Sequence, residues 1–273
     1  MRPDDLATDP AVLQLLECGA LEPEGQVVDA SNVALRCQVE HAGRSARVLY
    51  KPVRGERPLW DFPTGTLAAR EVAAFVVSDA GGWGLVPPTV LREGPFGPGS
   101  VQLWIDPPSV PPPDLVDVLP PHRLPEGWLP VMRAQDEDDE TVVVAHRDRP
   151  DLASVAVLDA VINNADRKAS HLLVAESGRV YVVDHGVSFH TEPKLRTVLW
   201  GWVGDPLPAP DRERLTRLAG ALADADAPAR TQLKRLLSAA EVTALRRRVN
   251  RLLQQDCFPD PSGHWPVIPW PLW

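Results

Sequence analysis

Four side chains in one stretch of this chain have the types and spacing of a reactive site. Asp166, Lys168 and His171 lie within NADRKASHLLV, and Asp184 follows in VYVVDHGVSF. Two carboxylates brought to one place suit phosphoryl transfer, in which one Asp orients the attacking hydroxyl and another holds magnesium against nucleotide phosphates.

The elements that must position these groups are legible around them. Leu152, Val155, Leu158, Val161 and Ile162 recur at the helical period, with Asp151 at the first turn and Asn163 and Asn164 as the stop. After the polar loop come two short β-branched runs, 171–175 and 180–183, joined by Glu-Ser-Gly-Arg, which is hairpin turn chemistry. Asp166 precedes the first run and Asp184 follows the second, so closing the hairpin brings both acids to one end.

Protein kinases organise their catalytic and metal loops this way, with a lysine two residues after the base and a metal-binding Asn five residues after it. Lys168 stands at the first place, and His171 stands where the Asn is expected. NADRKASHLLV followed by VYVVDHGVSF resembles the active-site segments of phosphatidylinositol 3- and 4-kinase-related proteins. The similarity is greatest to the type II 4-kinases, whose segments run N-x-D-R-G-x-x-N and D-N-G. The chain looks like a short actinobacterial branch of that superfamily.

The resemblance implies an α+β, bilobal protein-kinase-like fold. Residues 1–106 would form an N-terminal lobe, an antiparallel sheet with one main helix. Residues 107–273 would form a mostly helical C-terminal lobe carrying the catalytic-loop hairpin. It implies ATP and Mg2+ as cofactors and a hydroxyl-bearing acceptor, left open between a lipid headgroup, a small molecule and a protein. Asp166 would be the base or hydroxyl-orienting acid, Lys168 would neutralise the transferred group, and Asp184 would hold the metal. His171, at the second metal position, supplies nitrogen where magnesium prefers oxygen. One metal on Asp184 and the phosphates is then enough, or His171 donates to a phosphate, or the chain binds nucleotide without efficient transfer. A nucleotide-binding pseudokinase and a protein Ser/Thr kinase are the alternative readings.

Weaker matches run back to Lys51, which ends the strand-like run ARVLYK. Alternation leaves its direction open, but an inward lysine needs an acid or a phosphate. The next helical stretch, 66–80, carries Glu71 among apolar residues, which gives the kinase pairing of a phosphate-gripping lysine with a helix glutamate. Arg70 is its rival if the helix phase is misjudged. The polar break between Val28 and Val33 occupies the place of the family's phosphate-covering turn, making Ser31 and Asn32 candidate nucleotide donors against the reading of an ordinary bend. Leu103, Trp104 and Ile105, at the end of the last strand before proline-rich text, are candidates for the adenine wall or plain core.

Elsewhere, 11–21 reads as a short helix, 27–39 and 45–51 as strands, and 107–130 as an irregular proline-rich linker. Residues 128–133 and 141–146 should pair across the acidic tip DEDDE, and Leu195, Val198, Leu199 and Trp202 give 193–202 a helix-like face. Ser238 with Glu241 forms a capping box opening a helix to Gln255, with Arg246, Arg247 and Arg248 on a solvated face. The tail from Cys257 to Trp273 carries too much aromatic surface to stay in water and should wrap the body or a partner.

Length and composition bound these readings. At 273 residues and 44% hydrophobic the chain can bury a substantial core, and a net charge of −9 argues against broad nucleic-acid binding or attraction to anionic membranes. Three scattered cysteines make neither a disulfide framework nor a zinc cage, and the histidine spacing matches no zinc pattern. No apolar run spans a membrane and the N-terminus is acidic, so the expectation is a cytoplasmic protein.

Overall fold

The computed structural model describes residues 6–7, 9–27, 32–136, 138–261 and 265–273. The fold is α+β. Its first part is a five-stranded antiparallel sheet in the order β1-β2-β3-β5-β4, built from β1 (Ala20–Gln26), β2 (Leu35–His41), β3 (Arg44–Pro52), β4 (Thr89–Gly94) and β5 (Gly97–Leu103).

Strand alternation decides which side chains reach which face. Val48 and Tyr50 of β3 join Val101 and Leu103 of β5 in an apolar cluster with Val12, Leu15 and Leu16 of α1 (Val12–Cys18). Leu49 and Lys51 therefore face the other side, where α2 (Leu67–Gly81) packs against β4 and β5. The prolines 87 and 88 stand just before β4, which lies at the sheet edge, as their missing N–H groups require.

Two expected boundaries in this part are corrected. Helix α1 stops at Cys18 because Gly19 is wedged against β2: a Cβ there would lie 2.5 Å from Val39 Cγ2 and 2.6 Å from Leu15 O. The chain then enters β1, whereas a strand was expected only from Val27. Strand β1 reads Ala-Leu-Glu-Pro-Glu-Gly-Gln and is exposed along most of its length, so it carries no apolar alternation. Its proline sits at a register shift on the edge of the sheet, where a missing donor costs nothing.

The second part centres on α3 (Pro150–Ile162), which is buried from Leu152 to Ile162 and so is apolar on all sides. Around it lie α4 (Ala209–Ala223), α5 (Pro228–Leu236) and α6 (Ala239–Gln255), the hairpin β9 (Leu172–Val174) with β10 (Val180–Val182), and a three-stranded sheet. That sheet has the order β6-β8-β7, with β6 (Val116–Leu119), β7 (Trp128–Gln135) and β8 (Thr141–Arg147). Helix α2 contributes Val72, Val76 and Val77 to the same core, so it joins the two parts.

The pairing across the acidic tip and the Ser238–Glu241 capping box match expectation. The linker 107–130 does not, since it holds β6 and a short 3-10 turn, Pro121–Arg123. Nor is 193–202 a helix. Val198, Leu199 and Trp202 are buried and Leu195 partly so, but the backbone bonds to other segments instead: Arg196 N–H donates to Asn164 O and Val198 N–H to Arg167 O. Of the arginine triplet, Arg246 and Arg247 are exposed, whereas half-buried Arg248 donates from Nε to Val161 O at 2.8 Å. Among the described residues no helix is long and apolar enough to cross a membrane.

Candidate active site

Helix α3 ends on Asn163, whose left-handed backbone (φ 54°) turns the chain out of the helix. Asn163 holds the returning segment by donating from Nδ2 to His190 O and Glu192 O and accepting from Lys194 N–H. The next residue shapes the loop, because Asn164 Oδ1 accepts the Asp166 N–H at 3.0 Å. The hairpin then carries the chain away and back, and Val183 N–H closes onto His171 O. Asp184 follows with φ 61°, a conformation unfavourable for a residue with a Cβ and found where a surrounding network enforces it.

That network converges on Lys51. Its Nζ lies 2.5 Å from Glu71 Oε1 and 2.9 Å from Asp184 Oδ1. The other oxygen of Glu71 accepts the His185 N–H at 2.8 Å, so one carboxylate ties β3 and α2 to the loop after β10. Glu71 is the buried partner, and Arg70 instead turns away to Ser188 O and Glu241. Burial disfavours the Lys51 ammonium, but Asp184 and Glu71 outweigh it and raise its pKa. Burial likewise disfavours the Glu71 carboxylate, yet Lys51 lowers its pKa overall. The ammonium also holds the Asp184 carboxyl well below the usual carboxylate range, although that side chain is 45% exposed.

Asp166 stands apart from this triad but within its electrostatic reach. Burial pushes its carboxyl up to about 6; Lys168, with Nζ 3.7 Å from Oδ2, works against the shift and Asp184 adds to it. His171 places Nε2 3.4 Å from Asp184 Oδ2 while its Nδ1 accepts the Lys168 N–H. An accepting Nδ1 puts the proton of the neutral ring on Nε2, aimed at Asp184. Burial pushes the His171 pKa down to about 4, which keeps the ring neutral. In this arrangement both ring nitrogens of His171 face protein groups, Nδ1 the Lys168 N–H and Nε2 the Asp184 carboxylate.

The remaining candidates divide. Asn32 borders a small cavity with Lys51, Glu71 and Asp184, but its Oδ1 accepts the Arg57 N–H and so holds a turn. Ser31 lies outside the described residues. Leu103 packs beneath α1 on the sheet face opposite Lys51, which removes it from any wall of this site. Trp104 is half-buried, and Ile105 packs with Ala175 and Tyr181 of the hairpin. Leu49, two residues before Lys51, lies on the same sheet face by strand alternation.

Sequence reasoning also missed the buried support. Arg167 and Asp159 are both 0% exposed and meet in a two-point contact, Nε to Oδ2 at 2.9 Å and Nη2 to Oδ1 at 3.0 Å. Arg167 also donates from Nη1 to Val183 O at 2.7 Å and lies 2.9 Å from His185 Nε2. A guanidinium only donates, so His185 accepts on Nε2 and carries its proton on Nδ1, 3.7 Å from Glu71 Oε2. The one signal available was Asp159 itself, an acid inside the buried, mostly apolar stretch from Leu152 to Ile162.

Among the described residues no cluster of three His, Cys, Asp or Glu side chains could hold a metal ion. Magnesium commonly takes one or two carboxylates with substrate phosphates completing its shell, so Asp184 beside a phosphate chain is a compatible donor set.

No family model matches the chain. Among solved structures it is similar to a Helicobacter pylori proinflammatory kinase, CtkA, with a TM-score of 0.44 and 10% identity, covering 89% of this chain and 94% of that one. A curated protein of Mycobacterium tuberculosis, Protein Rv2133c, is 49% identical over 265 residues, 94% of each chain. With half of all residues shared along nearly the full length of both, the chain belongs to the family of Protein Rv2133c.

Proposed function

We propose that the chain is a kinase-like phosphotransferase that moves the γ-phosphoryl group of ATP to a hydroxyl acceptor. One observation carries the reading: a single lysine ammonium bridges a helix glutamate and a hairpin aspartate, with a second aspartate of raised pKa beside them. In this reading residues 1–106 cover the nucleotide and 107–273 supply the reacting loops.

Lys51 neutralises the phosphate chain, and Glu71 fixes its ammonium so that no reorganisation is needed when charge develops. Asp166 orients the acceptor hydroxyl and takes its proton as the oxygen attacks phosphorus. A pKa of about 6 leaves it ionised at neutral pH yet basic enough to hold that proton. Lys168 offsets charge on the transferred group. Asp184 with bound Mg2+ would neutralise the phosphate oxygens, and His171 keeps that carboxylate aimed. Asp159, Arg167 and His185 act through the others, holding the two loops and α2 in register. Trp104 and Ile105 remain the candidates for the surface on which a base would rest, with Leu49 on the Lys51 face of the sheet beside them.

The motif resemblance supports phosphatidylinositol kinases as the nearest chemistry, with a lipid headgroup as one acceptor. A second reading has its own support: His171 and Lys51 engage both oxygens of Asp184, an arrangement that also suits a pseudokinase holding nucleotide without consuming it. Incubation with Mg2+ and ATP radiolabelled in its γ-phosphate separates the two. Wild-type protein should transfer label to protein, extracted inositol lipid or water, and Asp184→Ala should abolish transfer. Transfer unchanged by that substitution removes the role given to Asp184, and ATP bound but never consumed favours the pseudokinase.

A further inference from the structure

The segment after the hairpin runs alongside the loop bearing Asp166. Arg167 N–H donates to Arg196 O at 3.0 Å and Arg196 N–H to Asn164 O at 2.9 Å. Across this pair lie residues 265–272 of the C-terminal tail. Thr197 N–H and Trp200 Nε1–H both donate to Val267 O, at 3.1 and 2.8 Å, and Ala169 N–H donates to Leu272 O at 2.9 Å. Ala169 directly follows Lys168 and stands three residues after Asp166, so the tail reaches the reacting loop itself.

One end of the tail is clamped. Lys194 Nζ pairs with Asp61 at 2.6 Å and lies 4.3 Å from the centre of the Trp265 ring, which stacks on Trp60 at 5.8 Å. Trp60 and Asp61 lead into α2, so the tail bridges the α2 side of the site to the segment beside Asp166.

The two surfaces are chemically matched. The tail reads Trp-Pro-Val-Ile-Pro-Trp-Pro-Leu-Trp, in which three prolines remove donors and leave carbonyls to accept. The receiving face offers backbone N–H groups, an indole N–H and aromatic rings, the combination by which aromatic grooves take extended proline-rich peptides. The grip is shallow. Trp270 is 85% and Trp273 51% exposed, and of residues 265–273 only Pro269 is buried. Trp265, Val267, Ile268 and Leu272 are only partly buried, Leu272 against the main core, and a contact buried in part opens more easily than the core itself.

We propose that the face formed by Ala169, Lys194, Thr197 and Trp200 is a groove for an extended proline-rich peptide, filled here in cis by residues 265–272, and that the tail must lift before an acceptor can reach Asp166. The groove stands on the contacts alone, whereas the blocking role rests on the phosphotransferase reading.

The test uses the full chain and its Trp265→Ala variant. By amide hydrogen exchange in wild-type protein, Ala169 and Thr197 should exchange together and well before the amides of α3. In the variant their exchange should quicken roughly 2- to 10-fold, the weight of one lost contact of about 1 kcal/mol, and MgATP hydrolysis should rise. A synthetic peptide of residues 265–273 in excess should reverse the rise. Trp200→Phe, which removes the indole donor while keeping an aromatic ring, should act in the same direction. Exchange of Ala169 and Thr197 only together with α3 overturns the groove, because the tail is then a permanent part of the core. Faster exchange with unchanged hydrolysis overturns the blocking role. Hydrolysis absent from every form counts against the phosphotransferase reading, and exchange and peptide binding then decide the groove by themselves.

Discussion

Asp166→Asn should make the protein more stable at pH 7 while removing its reactive carboxylate. Burial moves the carboxyl from an ordinary 3.8 to about 6. The folded state therefore binds a proton more tightly than the unfolded chain. The stability this contributes is fully present below about 4 and is lost as pH rises through about 6. At full weight the shift amounts to about 3 kcal/mol. The side chain is 33% exposed, so solvent screening reduces the cost of the ionised form to about 1–1.5 kcal/mol. An isosteric amide avoids that cost. For a chain of this size the gain corresponds to roughly 2–6 °C in melting temperature. Thermal unfolding followed by circular dichroism across pH 4 to 8 measures it. The gain should be present at pH 7 and vanish near pH 4. A variant less stable than wild type at pH 7, or a gain that ignores pH, would refute the assignment of a partly buried carboxylate of raised pKa.

Other perturbations follow from the same geometry. Phosphoryl transfer should fall about tenfold per pH unit below about 6, as Asp166 protonates, and stay flat from 7 to 8; a rate still high at pH 4.5 excludes this carboxylate as the base. Glu71→Gln leaves Lys51 with Asp184 alone, and losing a charge-assisted contact of about 1.5–3 kcal/mol should slow transfer roughly 10- to 100-fold in steady-state kinetics, so an unchanged rate removes Glu71 from the site. Asp159→Leu strands the fully buried Arg167 and should cost about 3–5 kcal/mol in urea unfolding, while adding Arg167→Met should recover part of that loss. A double variant as unstable as the sum of the two singles denies that they form a pair.

Much of the site could be read before its geometry was known, because its residues carry local signals. Lys51 closes a strand-like run, Glu71 interrupts an apolar helix, and the Glu-Ser-Gly-Arg turn folds the loops bearing Asp166 and Asp184 toward each other. Parity was harder to read. Leu103 and Lys51 lie on neighbouring strands, and pairing places Leu103 opposite Val48, on the α1 face. That register depends on partners far along the chain. Strand β1 was illegible because both its faces meet solvent, and the segment 193–202 mimicked a helix because burial alone can repeat at helical spacing. The Asp159–Arg167–His185 chain escaped for a different reason: its members belong to three elements, and only packing makes them neighbours. The aromatic tail is expected to wrap the body or a partner; it covers the body through Trp265 and backbone carbonyls, while Trp270 and Trp273 stay exposed.

The central claim is that Lys51 and Asp184 form a nucleotide phosphate site. Thermal unfolding with and without MgATP, in wild type and in Lys51→Met, tests it most directly. Nucleotide at 100 times its dissociation constant should stabilise wild-type protein by about 2.7 kcal/mol, and the variant should gain almost nothing. Equal stabilisation of both proteins, or of neither, would contradict the account.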